Sequence, residues 1–117
     1  DTSELAETDF RANMPRLSPE NWPVNLALID EFNGIAAQKR VTPAQLALGW
    51  LLSRGDHVVT IPGTSQLAHM EENLARWDWQ PSAEILEKLD ALINQETVAG
   101  HRYSESMRLN VESEDFI

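Results

Sequence analysis

The sequence contains no cysteine. This absence excludes disulfides and thiolate metal sites, and it favours a reducing, cytoplasmic location. Basic residues are also few, since 9 lysines and arginines stand against 19 acidic residues and the net charge is -10. So acidic a surface repels nucleic acids and anionic membranes, and neither is expected as a partner. No apolar run approaches the roughly 20 residues that cross a bilayer.

No targeting signal is expected in the first residues. Residues 1–18 lack a basic segment followed by an apolar stretch, which predicts no signal peptide. The chain opens on Asp1 rather than Met, as expected of an expressed segment, a proteolytic product or a piece of a longer protein. With 117 residues, 42% of them hydrophobic, it is long enough for one small domain with a packed core.

Helix-start signals and apolar residues at helical spacing predict four helices. Ser18 opens the first, whose start Pro23 can delay, and Thr42 with Gln45 forms a capping box at the start of the second. Gly34 inside the first helix weakens it by about 1 kcal/mol relative to alanine. The predicted helices cover 19–39, 43–53, 66–76 and 82–94.

Three of these helices carry an apolar face that is expected to be buried. Trp50 lies off the stripe of the second helix and needs another surface. The residues expected on these faces are Leu28, Phe32, Ile35 and Lys39, flanked by Leu26, Ile29 and Ala36, in the first helix, Ala44, Ala47, Leu48, Leu51 and Leu52 in the second, and Ile85, Leu86, Leu89, Leu92 and Ile93 in the last.

A single strand is predicted at 57–61, where β-branched residues precede a Pro-Gly turn. Thr64 and Ser65 offer hydroxyls as N-caps for a helix that begins near Gln66. The free backbone N–H groups and the dipole at that helix start can bind an anion such as a phosphate. A turn that only ends a strand is the alternative interpretation. Because one strand cannot form a sheet, the pattern indicates βα units without their neighbours.

Several motifs together resemble the C-terminal part of the aldo-keto reductase family. The motifs are Thr-Pro-Ala-Gln-Leu-Ala-Leu-Gly-Trp-Leu-Leu at 42–52, Val-Val-Thr-Ile-Pro-Gly-Thr-Ser at 58–65, Glu-Asn at 72–73 and Leu-Asp at 89–90. Asp-Phe-Arg at 9–11 with Met-Pro-Arg at 14–16 is similar to the loop that follows the seventh strand of that family. The resemblance covers roughly residues 9–95. It implies a mostly α C-terminal fragment of a (β/α)8 barrel, with 57–61 as its eighth strand.

The resemblance also divides the chain into three segments. Residues 1–17 are the loop that precedes the helices of the seventh unit, and residues 18–95 are the C-terminal part of the barrel. Residues 96–117 form an acidic tail with at most one weak turn near 104–109, and by analogy this tail closes over the substrate mouth. The expected partners are the remaining barrel segment or, through exposed helix faces, further copies of this chain.

The resemblance implies an NAD(P)H-dependent oxidoreductase that converts carbonyls to alcohols. The catalytic Asp, Tyr, Lys and His of the family come from earlier strands, and no position here matches them. Tyr103 is the one tyrosine and lies in the tail, so the chain alone is expected to be inactive. No metal site is expected. The alternative is a non-catalytic helical association module, or a truncated barrel piece that self-associates.

What the resemblance carries over is the adenosine 2′-phosphate end of the cofactor site. NADP is the expected cofactor, and NAD is the alternative. Many family members have Lys in place of Gly63 and Arg in place of His69, so phosphate here would rest on backbone N–H groups, two hydroxyls and protonated His69. On a helix, Gln66, His69 and Asn73 share one face. The matching positions are Ile61, Pro62, Gly63, Thr64, Ser65, Gln66, His69, Glu72 and Asn73.

Overall fold

A computed structural model describes residues 5, 8–76 and 78–109. Within these residues the chain is mostly helical, which confirms the predicted fold class. The α-helices are α1 (Trp22–Lys39), α2 (Pro43–Leu52), α3 (Leu67–Leu74), α4 (Ala83–Leu92) and α5 (Glu105–Arg108), and the 3-10 helices are Phe10–Asn13 and Pro15–Leu17. The first four α-helices are the predicted ones with shorter bounds, and α5 is the expected weak turn. The chain divides into two compact units, one formed by residues 1–30 with 93–117 and the other by Glu31–Leu92.

The prediction of a strand at 57–61 is wrong. No segment of the described chain is paired as a strand, and 58–61 has no regular structure. The side chains of Val59 and Ile61 are 82% and 93% exposed. A strand needs a neighbour to satisfy its backbone N–H and C=O groups, and no other described segment pairs with this one. The β-branched residues therefore form an open connection between α2 and α3.

The core of the Glu31–Leu92 unit is small and combines residues of α1, α2 and α4. Ile35 and Leu46 are its largest fully buried side chains. The expected apolar faces are confirmed on the C-terminal half of α1 and on α4, whose buried residues pack together at helical spacing. The prediction is wrong for the N-terminal half of α1, where Leu26 and Ile29 are 38% and 46% exposed, because no described residue of 1–30 is buried to form a core there. The buried residues are Ile35, Ala36, Val41, Leu46, Ile85 and Leu89, with Phe32, Trp50, Trp79 and Leu92 packed against them.

The prediction of which face of α2 is buried is wrong. Gln45, Leu46 and Gly49 are buried, whereas Leu51 is 40% exposed. The reason lies in Gly49, because a Cβ there would be 3.0 Å from two ring carbons of Trp79. The missing side chain lets the indole approach the helix backbone, and this tertiary contact selects the face. Periodicity does not reveal such a choice, since glycine and glutamine give no apolar signal.

The turn between α1 and α2 is a Schellman motif. The N–H of Val41 donates to the carbonyl of Ala36, and the N–H of Arg40 donates to the carbonyl of Ala37, both at 3.1 Å. Arg40 has φ 55, a left-handed conformation that glycine adopts more easily than residues with a Cβ. Val41 and Ala36 are both buried in the core, so the motif stops α1 where its apolar face ends.

An exposed polar cluster joins α2 to α4. The Nε1–H of Trp50 donates to Oδ1 of Asp90 at 2.6 Å, and the guanidinium of Arg54 pairs with the same carboxylate. The guanidinium also lies over the Trp50 ring, 4.0 Å from its centroid. The hydrogen bond from Arg54, assisted by the one from Trp50, holds the pKa of Asp90 below its usual value. This cluster is the additional surface that Trp50 needs.

Glycine-to-alanine substitutions at two helix positions should change the stability in opposite directions. Replacing Gly34 with alanine should stabilise the chain by about 1 kcal/mol, because alanine favours helix and the new Cβ meets no atom within 4 Å. Replacing Gly49 with alanine should destabilise it by about 1 kcal/mol, because overpacking against the Trp79 ring costs more than the helix gains. Urea unfolding followed by circular dichroism measures both. Equal shifts of the two variants would contradict the packing assigned to Gly49.

Asp90 should make the stability of the chain fall in acid. Its pKa is lowered by folding from a usual value of 3.8, so its contribution is present above that pH and is lost as the pH falls towards the lower folded pKa. Asp90→Asn should therefore lose stability near neutral pH and show a smaller decrease below pH 4 than the unsubstituted chain. The matched control is Asp56→Asn, at an exposed aspartate. Parallel acid curves for all three proteins would contradict this role of Asp90.

Candidate functional site

The loop predicted to bind phosphate is open to solvent. All residues from Ile61 to His69 are exposed. A Cβ placed on Gly63 would meet no atom within 4 Å. Within the Glu31–Leu92 unit, space therefore exists along the loop for a bound molecule.

The start of α3 differs from the prediction in its cap. The N-cap is Gln66, whose side chain makes no capping hydrogen bond. The hydroxyl of Thr64 instead accepts from the N–H of Gln66 and donates to its carbonyl, both at 3.1 Å. The prediction that Thr64 or Ser65 caps the helix is wrong, because this local turn uses the Thr64 hydroxyl before the helix begins. In this described stretch, the first N–H groups of α3 are left without a side-chain cap and can meet an anion.

The polar residues predicted on α3 differ in their surroundings. His69 is exposed, whereas Glu72 and Asn73 are half-buried. The apolar residues of the same helix are the more exposed set, with Leu67 at 71% and Leu74 at 56%. Unlike α4, α3 therefore has an apolar side that nothing covers in the described structure.

Gln45 fixes α3 to α2. Its Nε2 donates to the carbonyl of Glu72 at 2.7 Å. Its Oε1 accepts from the N–H of Thr42 at 3.0 Å, and its own N–H donates to the Thr42 hydroxyl at 3.2 Å, which confirms the predicted capping box. The side chain is only 8% exposed. One buried amide thus sets the start of α2 and the position of the last turn of α3.

A pocket of about 180 Å³ lies within the Glu31–Leu92 unit. Two of the predicted site residues, Pro62 and Asn73, line it together with Thr60. Trp79 and leucines of α2 form its apolar wall. The other predicted residues are not among those that line it, and these are Ile61, Gly63, Thr64, Ser65, Gln66, His69 and Glu72. The pocket thus adjoins the loop at Thr60 and Pro62.

Arg76 is the residue that sequence analysis missed. It is the one basic residue lining the pocket, and it makes no ion pair among the described residues. It lies two residues beyond the end of α3 and three beyond Asn73, so a search for basic residues one turn past the Glu-Asn pair would have found it. Its exposed guanidinium can donate to a phosphate or stack on an aromatic ring.

Two further searches of the described residues gave no site. No group of three or more His, Asp or Glu side chains there could hold a metal ion. None of the helices in that part of the chain has the length and apolarity to cross a membrane. The loop, the start of α3 and the adjoining pocket are therefore the candidate site.

Comparison with known proteins decides the family. The family model described as "Aldo/keto reductase family" matches residues 2–94. The chain belongs to the aldo/keto reductase family. The match contains the loop, α3 and the pocket-lining residues, and it confirms the resemblance found in the sequence motifs.

Three curated relatives illustrate the similarity. The chain is 35% identical over 100 residues to aldo-keto reductase yakc of Schizosaccharomyces pombe, whose name specifies NADP(+), covering 86% of this chain and 29% of that protein. It is 35% identical over 89 residues to probable aldo-keto reductase 1 of Glycine max, covering 76% and 26%. It is 27% identical over 99 residues to aldo-keto reductase str7 of Strobilurus tenacellus, covering 85% and 30%. The chain thus spans less than a third of these relatives. No solved structure gives a significant match.

Replacing Gln45 with alanine should destabilise the chain by about 1–3 kcal/mol, because the partly buried carbonyl of Glu72 loses its donor. The same change at exposed Gln38 is the matched control and should cost less than about 0.5 kcal/mol. Urea unfolding measures both, and amide exchange in α3 shows whether that helix loosens first. Equal losses of unfolding free energy at the two positions would show that the hydrogen bond from Gln45 to Glu72 does not hold α3 in place.

Proposed function

We propose that this chain contributes the adenosine 2′-phosphate end of the cofactor site to an NAD(P)H-dependent oxidoreductase that converts carbonyls to alcohols. The family match is the observation that carries the proposal. The relative from Schizosaccharomyces pombe has NADP(+) in its name, which supports NADP as the cofactor, with NAD as the alternative.

The loop supports binding of the 2′-phosphate. Its exposed backbone leads to a helix start without a side-chain cap, and such a start attracts anions through free N–H groups and the helix dipole. The hydroxyls of Thr64 and Ser65 lie on the same exposed loop, and the Thr64 O–H would turn from the carbonyl of Gln66 to donate to the phosphate. We assign the phosphate to this loop and to the first turn of α3, with His69 beside it.

The pocket supports binding of the adenosine portion. The indole of Trp79 gives it a flat apolar wall and Asn73 gives it an amide, which together suit a flat base with polar edges. Arg76 supplies a positive charge on a chain that has neither Lys at Gly63 nor Arg at His69. We therefore add Arg76 to the nine residues predicted from the sequence.

The chain alone should not catalyse the reaction. It holds no match to the catalytic Asp, Tyr, Lys and His of the family, and it spans less than a third of its relatives. We propose that the remaining barrel segment covers the exposed residues of 57–61, which would pair as a strand on a neighbouring one. This cover would also supply the catalytic group.

A second candidate is a helical association module. The exposed apolar residues of α3 favour it, because Leu67, Met70 and Leu74 recur at helical spacing and each is at least half exposed. An apolar stripe of this kind is typical of an interaction surface. In this case the chain would associate with copies of itself and bind no dinucleotide.

Calorimetric titration of the chain with NADPH and with NADH tests the cofactor assignment. Thr64→Ala should weaken NADPH about 3- to 10-fold, the loss of one hydrogen bond, and leave NADH nearly unchanged. His69→Arg should strengthen NADPH by a similar factor, because a permanent positive charge replaces imidazole. Arg76→Ala should weaken both dinucleotides, because Arg76 lines the pocket assigned to the adenosine that they share.

Lys88→Ala is the matched control for Arg76→Ala, because it removes one positive charge from an exposed position on α4 and should change neither affinity. If Thr64→Ala and Arg76→Ala both bind NADPH like the unsubstituted chain, the site assignment is wrong. If the chain binds neither dinucleotide and sediments as a dimer, the association module replaces it.

A further inference from the structure

Asn25 of α1 binds the backbone of two segments that are far apart in sequence. Its Nδ2 donates to the carbonyl of Arg16 and to the carbonyl of Ala99, both at 2.8 Å. Its Oδ1 accepts from the N–H of Ala99 at 2.9 Å. The side-chain amide of Asn25 thus bonds to the backbone through both of its N–H donors and through its oxygen. One donor binds the first segment, at Arg16, and the other donor and the oxygen bind the second segment, at Ala99.

Two neighbouring hydrogen bonds reinforce the contact between these segments. Asn21, one helical turn earlier, donates through Nδ2 to the carbonyl of Pro15 at 2.8 Å, and Nε of Arg16 donates to the carbonyl of Gly100 at 3.3 Å. Gly100 has φ +85, and a Cβ there would be 2.6 Å from Nδ2 of Asn21 and 3.0 Å from the carbonyl oxygen of Pro15. The two segments therefore approach so closely that a side chain at position 100 would separate them.

Hydrogen bonds rather than buried side chains hold these segments. In the described part of the unit formed by residues 1–30 and 93–117, no residue is buried. Segments with few buried apolar contacts open locally at a low free-energy cost. Whether the two segments open separately or together is then decided by the amide that they share.

We propose that Asn25 couples the loop 9–17 to the segment 96–103, so that the two open and close as one unit. Loss of Asn25 frees one carbonyl on the first segment and both backbone groups of Ala99 on the second. Loss of either segment leaves the amide of Asn25 partly unsatisfied, which weakens its hold on the other. Ordering of one segment therefore orders the other.

The consequence for activity rests on the function proposed above. In that case the loop 9–17 follows the seventh strand, and 96–103 is the first part of the tail that would close over the substrate mouth. Asn25 then acts as a positioning residue that links the loop to the tail. The coupling itself needs no cofactor, so it can be tested independently of the cofactor assignment.

Hydrogen–deuterium exchange of the whole 117-residue chain, without cofactor, tests the coupling. Asn25→Ala should speed exchange at least tenfold in peptides covering 9–18 and 96–103. Asn33→Ala is the matched control, an exposed asparagine of the same helix, and should change neither peptide. Exchange in α2 and α4 should be the same in all variants, which shows that the Glu31–Leu92 unit is still folded.

Gly100→Ala opens the contact from the second segment, but its new Cβ also meets Asn21 and Pro15 directly, so it is measured both alone and in the Asn25→Ala background. We expect it alone to speed exchange in 9–18 as well as in 96–103, and to add less than twofold in 9–18 once Asn25 is gone, because the coupling is then already lost; an undiminished effect in that background would show a direct clash and overturn the coupling. A purely local role would speed 96–103 alone and would overturn the proposal. The proposal would also fail if Asn25→Ala changed only one of the two peptides.

Discussion

The structure of the Glu31–Leu92 unit depends on the side chain of Gln45. Its amide closes the capping box of α2 and also donates to α3, and it is buried on a core of only six residues. With so little apolar burial, a satisfied polar group forms a large share of what positions the helices. The orientation of α3, and with it the uncapped helix start of the candidate site, follows from that single amide.

The exposed surfaces of this unit have a common cause. Residues 57–61 have the composition of a buried strand, the leucines of α2 have the spacing of a buried face, and α3 has an apolar stripe. Under the function proposed above, the remaining barrel segment would cover all three, since the chain spans less than a third of its relatives. These residues are suited to neighbours that a barrel would supply, whereas the contacts made by Gln45, Gly49 and Asp90 need only this chain.

Local signals in the sequence predicted what is local in the structure. The helices, the capping box at Thr42 and the turn at α5 follow from start signals and periodicity, which act within a few residues. The buried face of α2 and the state of 57–61 depend on distant partners and could not be predicted in this way. The same limit applies to the site, because the loop and, one turn past the Glu-Asn pair, Arg76 carry a local sequence signal, whereas Trp79 joins the site only through folding. The left-handed Arg40 also gave no signal, since glycine is the usual residue there.

Electrostatics decides how a phosphate could bind to so acidic a chain. The net charge of -10 opposes the approach of an anionic cofactor at long range. At physiological ionic strength, however, charges beyond about 8 Å are largely screened, so the groups next to the loop decide the affinity. Those groups are the first N–H groups of α3, the hydroxyls of Thr64 and Ser65, and the cation of Arg76, set against the carboxylate of Glu72. Binding at the proposed site would therefore depend on short-range donors at the start of α3, and the position of α3 depends on the hydrogen bond from Gln45 to the carbonyl of Glu72.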